Sequence, residues 1–130
     1  MLKRIHHAAI ICTDYQVSKD FYTRILGLSV IAETYRAERA SYKLDLTLPD
    51  GSQIELFSFP DAPPRVSRPE AQGLRHLAFE VDDVSASKAM LEAKGLDVED
   101  IRLDELTGRR FVFFADPDDL PLELYEALPQ

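Results

Sequence analysis

Two histidines and two glutamates stand at corresponding places in the two halves of this chain. His7 opens the apolar run HAAIIC and His76 opens HLAFEV, while Glu55 lies in IELF and Glu123 in LELY. The glutamate follows its histidine by 48 residues in the first half and by 47 in the second. Imidazole and carboxylate are ligand types for zinc, nickel, cobalt, manganese or ferrous iron. A carboxylate in such a site can also hold or release a proton. Taken singly, a histidine on a strand is usually structural and an alternating glutamate usually faces solvent. A glutamate between isoleucine and leucine is nevertheless costly to bury unless it is paired or bound to a cation. Two of them at matched positions, each with a histidine, therefore point to one divalent metal site made of His7, Glu55, His76 and Glu123.

The neighbouring candidates carry less. His6 adjoins His7, but Arg75 stands at its place in the second half. The single cysteine, Cys12, lies in an apolar run and reads as a small buried thiol.

The elements that position these residues are written twice. His7 and His76 are 69 positions apart, as are Asp14 and Asp83, Ser18 and Ser87, and Lys19 and Lys88. Beyond the first helical stretch the spacing becomes 68, which matches Gly27 with Gly95, Pro49 with Pro117, and Glu55 with Glu123. The chain divides into one module at about 1–62 and another at about 70–130, joined by a proline-rich linker at about 60–73. Each module reads β-α-β-β-β. A strand (about 5–12 and 75–81) runs into an aspartate, and a helix (about 15–26 and 84–94) ends on a glycine. Val17, Phe21, Ile25 and Leu28 recur at helical spacing and predict the buried face of the first helix. Strands follow in LSVIAETYR, SYKLDLTLP and SQIELFSF, and again in LDVEDIRLD, RRFVFFADP and LPLELYE. Because side chains alternate along a strand, His7, Glu55, His76 and Glu123 all fall opposite the leucine and isoleucine face. A module of about 60 residues is marginal alone, which favours the two halves sharing a sheet within one domain spanning 1–130.

Composition narrows the function classes. Fifteen basic against 23 acidic residues give a net charge of −8, which disfavours a nucleic-acid partner. No apolar run is long enough to span a bilayer, and His6, His7 and Asp14 interrupt anything like a signal peptide. The expected location is the cytoplasm.

Paired β-α-β-β-β modules carrying His, Glu, His and Glu at these places resemble the vicinal oxygen chelate superfamily, which includes glyoxalase I, methylmalonyl-CoA epimerase, extradiol dioxygenases and bleomycin- and fosfomycin-resistance proteins. The stretches FSFPDAPPRVSRPEAQGLRHLAF and DPDDLPLELYE are similar to short bacterial glyoxalase-like (lactoylglutathione lyase-like) proteins. The resemblance implies an α+β fold with the modules forming a cupped mixed sheet, and one divalent metal held by His7, Glu55, His76 and Glu123. It implies Glu123 as proton shuttle and Glu55 as its counterpart, in a lyase or isomerase that removes a proton next to a metal-bound carbonyl. Four protein ligands look like glyoxalase I or the epimerase, whereas dioxygenases of this fold resemble a two-histidine, one-carboxylate site. A non-catalytic small-molecule binder is the remaining alternative. Polar contacts that glyoxalase I makes to glutathione fall on Ile11 and Phe59, which argues against that thiol. Arginines near the linker and before FVFF, chiefly Arg75 and Arg110, are candidates to hold an anionic small-molecule substrate. Phe57, Phe59 and Tyr125 would line its apolar wall. The expected assembly is a homodimer, with ligands drawn from one chain or two.

Overall fold

The computed structural model describes residues 1–128. The chain forms two compact units, Met1–Pro64 and Arg65–Gln130. The first runs β1 (His7–Cys12), α1 (Tyr15–Asp20), β2 (Ser29–Arg36), β3 (Ser41–Thr47) and β4 (Gln53–Ser58). The second runs β5 (Leu77–Val81), α2 (Val84–Ala93), β6 (Arg102–Leu103), β7 (Arg110–Ala115) and β8 (Pro121–Glu126). Each unit carries its own four-stranded mixed sheet, ordered β1-β4-β3-β2 and β5-β8-β7-β6. The α+β class and the repeated β-α-β-β-β order are as the sequence predicts, but hydrogen bonding runs within each half rather than through one shared sheet.

In both sheets the first strand pairs in parallel with the last, a pairing that needs a crossover, here supplied by the helix and the strands after it. Asp14 and Asp83 cap the two helices, accepting from the backbone N–H of Val17 at 3.2 Å and of Ala86 at 3.1 Å. Gly27 and Gly95 follow the helices at φ +83° and +91°, the left-handed conformation that ends a helix most cheaply on glycine.

The first helix departs from the predicted regular helix over 15–26. After Asp20 it widens into a π-helical turn, Phe21–Ile25, with Leu26 N–H donating to Phe21 O at 2.9 Å. Thr23 Oγ1 donates to Lys19 O at 2.6 Å, a hydroxyl occupying a carbonyl four residues back. The repeat spacing explains the turn, because its drop from 69 to 68 means that the first half holds one residue more than the second before its glycine. A π turn absorbs one such residue without ending the helix. The buried face shifts accordingly: Tyr15, Ser18, Phe21 and Tyr22 are buried, whereas Val17 is 51% exposed.

The cores lie on the alternating apolar positions. Ile10, Cys12, Leu44, Leu46, Ile54 and Leu56 are buried in the first unit, and Val84, Leu91, Val112, Phe114, Leu122 and Leu124 in the second. The expected strand LDVEDIRLD shrinks to Arg102–Leu103. Lys88 Nζ instead binds the carbonyls of Val98 and Glu99 at 3.1 and 2.7 Å, and the Glu99 carboxylate accepts from Phe113 N–H at 2.9 Å. Side chains thus take up backbone groups that a strand ladder would have used. Among the described residues no helix is long and apolar enough to cross a membrane.

Candidate functional site

In the first unit the residues opposite the buried face of β4 are Glu55 and Phe57, and opposite that of β1 are His7, Ala9 and Ile11. The parallel register sets Ala9 beside Glu55, so His7 reaches Glu55 diagonally. Its Nε2 lies 3.4 Å from Glu55 Oε2. Across the sheet Asp45 is Glu55's direct neighbour, and Lys43 Nζ bridges the two carboxylates at 2.7 Å to Asp45 and 3.8 Å to Glu55. His6 is exposed, and its Nδ1 contacts His7 Nδ1 at 2.9 Å. That contact leaves His7 Nε2 for Glu55.

The second unit repeats the pair. His76, immediately before β5, places Nε2 3.5 Å from Glu123 Oε1 on β8. The carboxylate side chain is only 12% exposed. Burial pushes its carboxyl above the ordinary value of 4.5, while His76 and Arg102 pull it back. Arg75 Nη1 lies 3.0 Å from His76 Nδ1. A guanidinium can only donate, so Nδ1 accepts, and the proton of the neutral ring sits on Nε2 toward Glu123.

What surrounds this second pair differs from the first half. Phe113 and Phe111 stand where the first unit has Asp45 and Lys43, 68 positions apart in each case. Phe113 packs perpendicular to the His76 ring, with centroids 5.0 Å apart. Tyr125 stacks on Phe111, donates its hydroxyl to Asp104 at 2.8 Å and meets Thr107 Oγ1 at 2.5 Å. That hydrogen bond holds Asp104 below its ordinary carboxyl value. Arg102 lies over Phe111 at 4.9 Å and over Phe113 at 5.4 Å, and Arg75 lies over Phe113 at 5.9 Å.

The sequence-predicted residues divide as follows. His7 with Glu55, and His76 with Glu123, are brought together within their units. Arg75 and Tyr125 belong to the His76 face; Phe57 and Phe59 stack in the first unit at 5.9 Å under Arg36. Arg110 does not reach that face. Sharing its strand side with Val112 and Phe114, it turns toward α2, where it binds Glu126 at 2.7 Å and Ser85 at 3.0 Å and approaches Asp83 at 3.8 Å. Its guanidinium is committed to a structural bridge. Phe111, Phe113 and Arg102 are the site residues the sequence reading left out, although the alternation in RFVFFA already sets both phenylalanines opposite Val112.

The donor chemistry can be tested against a metal. Each pair offers one imidazole nitrogen and one carboxylate oxygen, separated by 3.4 and 3.5 Å, close enough to meet one ion through bonds of about 2.0–2.2 Å. His76 would first have to surrender its Nε2 proton and take one at Nδ1, and Arg75 would then have to leave Nδ1. No group of three or more His, Cys, Asp or Glu side chains poised for a metal occurs among the described residues. Each unit by itself thus offers two donors.

The glyoxalase/bleomycin resistance protein/dioxygenase superfamily model matches residues 4–124. The chain belongs to this superfamily. It is 62% identical over 126 residues to the uncharacterized protein YwkD of Bacillus subtilis, covering 97% of this chain and 98% of that one. It is 59% identical to the uncharacterized protein YaeR of Escherichia coli over 96% and 97% of the two chains. A 2-epi-5-epi-valiolone epimerase of an Actinomyces species is 29% identical over 92% of this chain and 77% of its own. Among solved structures, the glyoxalase family protein of Enterococcus faecalis superposes with a TM-score of 0.89 at 46% identity, covering 95% and 98%. The fosfomycin resistance protein FosX of Listeria monocytogenes, complexed with Mn(II) and sulfate, shares the fold at a TM-score of 0.74 and 18% identity, covering 98% and 95%. Members of the superfamily typically use a divalent metal.

Proposed function

We propose that His7, Glu55, His76 and Glu123 together hold one divalent ion, and that the protein is a lyase or isomerase of glyoxalase type acting on a small molecule. The observation that carries this reading is the recurrence of one histidine–glutamate pair, at nearly the same separation, in both copies of a duplicated unit. Two donors bind a labile ion weakly, so each half-site calls for the other, from the same chain or from the partner in a homodimer. When bound, the ion supplies a Lewis acid that polarises a carbonyl and stabilises negative charge on its oxygen.

The chain's own residues do the rest. Glu123, largely buried and beside His76, takes a proton from the carbon next to that carbonyl and returns it to the neighbouring carbon. Glu55, its counterpart, balances the charge. Phe113 and Phe111 keep water from the His76 side and give the substrate an apolar floor. Ile11 and Phe59 can neither donate to nor pair with a peptide carboxylate, which argues against glutathione as the thiol.

A second reading is epimerisation. It is favoured by the two matched carboxylates, which suit removal of a proton on one face of a carbon and return on the other, and by the epimerase among the relatives.

The test is a metal-reconstituted assay of methylglyoxal with and without thiols, with Glu123→Gln as control. Turnover that needs both metal and Glu123 supports the reading. Full turnover by Glu123→Gln with metal bound removes the proton-shuttle role, and a protein that takes up no divalent ion is a binder instead.

A further inference from the structure

At Phe113, the cross-strand neighbour of Glu123, lies a recess of about 270 Å³ lined by Arg68, Arg75, Arg102, Glu70, Glu99 and Phe113, with Ser67 and Pro121 completing it. It falls just short of the 300–1,000 Å³ typical of whole-ligand pockets, which suits a head group rather than an entire ligand. In a chain of net charge −8, its three guanidiniums outnumber its two carboxylates.

The pairing inside the recess is incomplete. Glu99 Oε1 accepts from both Arg102 Nε at 3.0 Å and Phe113 N–H, so one carboxylate serves two donors. Arg75 and Glu70 stand 3.8 Å apart with side chains 59% and 56% exposed, a pairing that solvent screens. Arg68 has no hydrogen-bond or ion-pair partner among the described residues. The duplicated half provides the contrast: at the corresponding strand positions Lys43 is neutralised by Asp45 and Glu55. In the first unit the guanidinium of Arg36 lies over Phe57 and bonds Ser41, whereas in the second three arginines gather in one recess.

Both Arg75 and Arg102 lie over the ring of Phe113, which packs perpendicular to His76. Phe113 thus stands within cation–π reach of two guanidiniums, whose planar forks suit a bidentate oxyanion. An anion held by these guanidiniums would lie beside Phe113, which neighbours both His76 and Glu123.

We infer that this recess is an oxyanion subsite that receives a terminal carboxylate or phosphate of the substrate and sets the neighbouring carbon at Glu123. The substrate is then a small anionic carbonyl compound. This rests on the proposed proton transfer at Glu123, but anion binding itself needs neither metal nor turnover.

The test is calorimetric titration of the metal-free protein with inorganic phosphate, with pyruvate and with neutral hydroxyacetone, repeated on Arg102→Gln and Arg68→Gln. Glu99 keeps its bond to Phe113 N–H in the first variant, and Arg68 has no partner to lose in the second, so both should fold. The expected result is saturable binding of phosphate or pyruvate but not of hydroxyacetone, weakened about tenfold or more in each variant, as loss of a charged hydrogen bond implies. Tighter phosphate identifies a phosphorylated substrate, and tighter pyruvate an oxo acid. Binding of neither anion, or binding unchanged in both variants, overturns the subsite. Metal uptake, measured on the same proteins, reports on the metal reading separately.

Discussion

His76 Nε2 lies 3.5 Å from Glu123 Oε1, while the other nitrogen of the same ring lies 3.0 Å from Arg75 Nη1. The imidazole is thus held between an acceptor and an obligate donor. This arrangement suits the ion-free ring and opposes the tautomer that a metal at Nε2 requires. Arg75→Leu removes the opposing donor and a nearby positive charge, so divalent-metal affinity should stay level or rise while affinity for phosphate or pyruvate falls. Metal titration and anion calorimetry on the one variant read the two effects. A fall in metal affinity would mean that Arg75 supports the ligand rather than competing with it.

Glu123→Gln keeps the shape of the side chain and loses its ability to take a proton. In the metal-loaded protein turnover should drop by about 10²–10⁴-fold, the usual contribution of a positioned acid or base. Single-turnover kinetics at saturating metal separates this loss from weakened ion binding.

Arg110 and Glu126 set a pH dependence of stability. The hydrogen bonds from Arg110 and then from Val84 N–H hold the Glu126 carboxyl below its ordinary 4.5. A folded-state value below the unfolded one means that the stabilisation is complete above about pH 4.5 and is lost as pH falls through the folded value. Glu126→Gln should therefore melt lower than the parent at neutral pH, and the gap should close in acid. A gap in Tm that persists unchanged at pH 3 would contradict the assignment.

Leu122 is fully buried directly before Glu123 on β8. Leu122→Ala should cost about 2–5 kcal/mol by denaturant unfolding, as removal of a packed leucine does. A cost under about 1 kcal/mol would mean that the core behind the site is loose.

Much of this was legible in the sequence because it depends on spacing and alternation alone. The repeat aligned His7 with His76 and Glu55 with Glu123 in the sequence, and strand parity set the two glutamates opposite the leucines. The one-residue change in repeat spacing even marked the π turn, though a regular helix was the expectation. What alternation could have shown and did not was the side taken by Arg110, which shares its face with Val112 and Phe114 rather than with Phe111 and Phe113. What it could not show was the fate of LDVEDIRLD. There Lys88 of α2 binds the Val98 and Glu99 carbonyls, and the Glu99 side chain reaches Phe113 N–H on β7, taking up backbone groups that a ladder would otherwise have claimed. The recess at Phe113 also depends on tertiary placement, since Arg68, Arg75 and Arg102 come from three separate stretches.

The central claim, that two half-sites make one metal centre, is tested most directly by metal titration with native mass determination on the parent, His7→Ala and His76→Ala. The account predicts one divalent ion per pair of half-sites, and its loss when either histidine is removed. Two independent ions per chain, each lost only with its own histidine, or no ion at all, would contradict it.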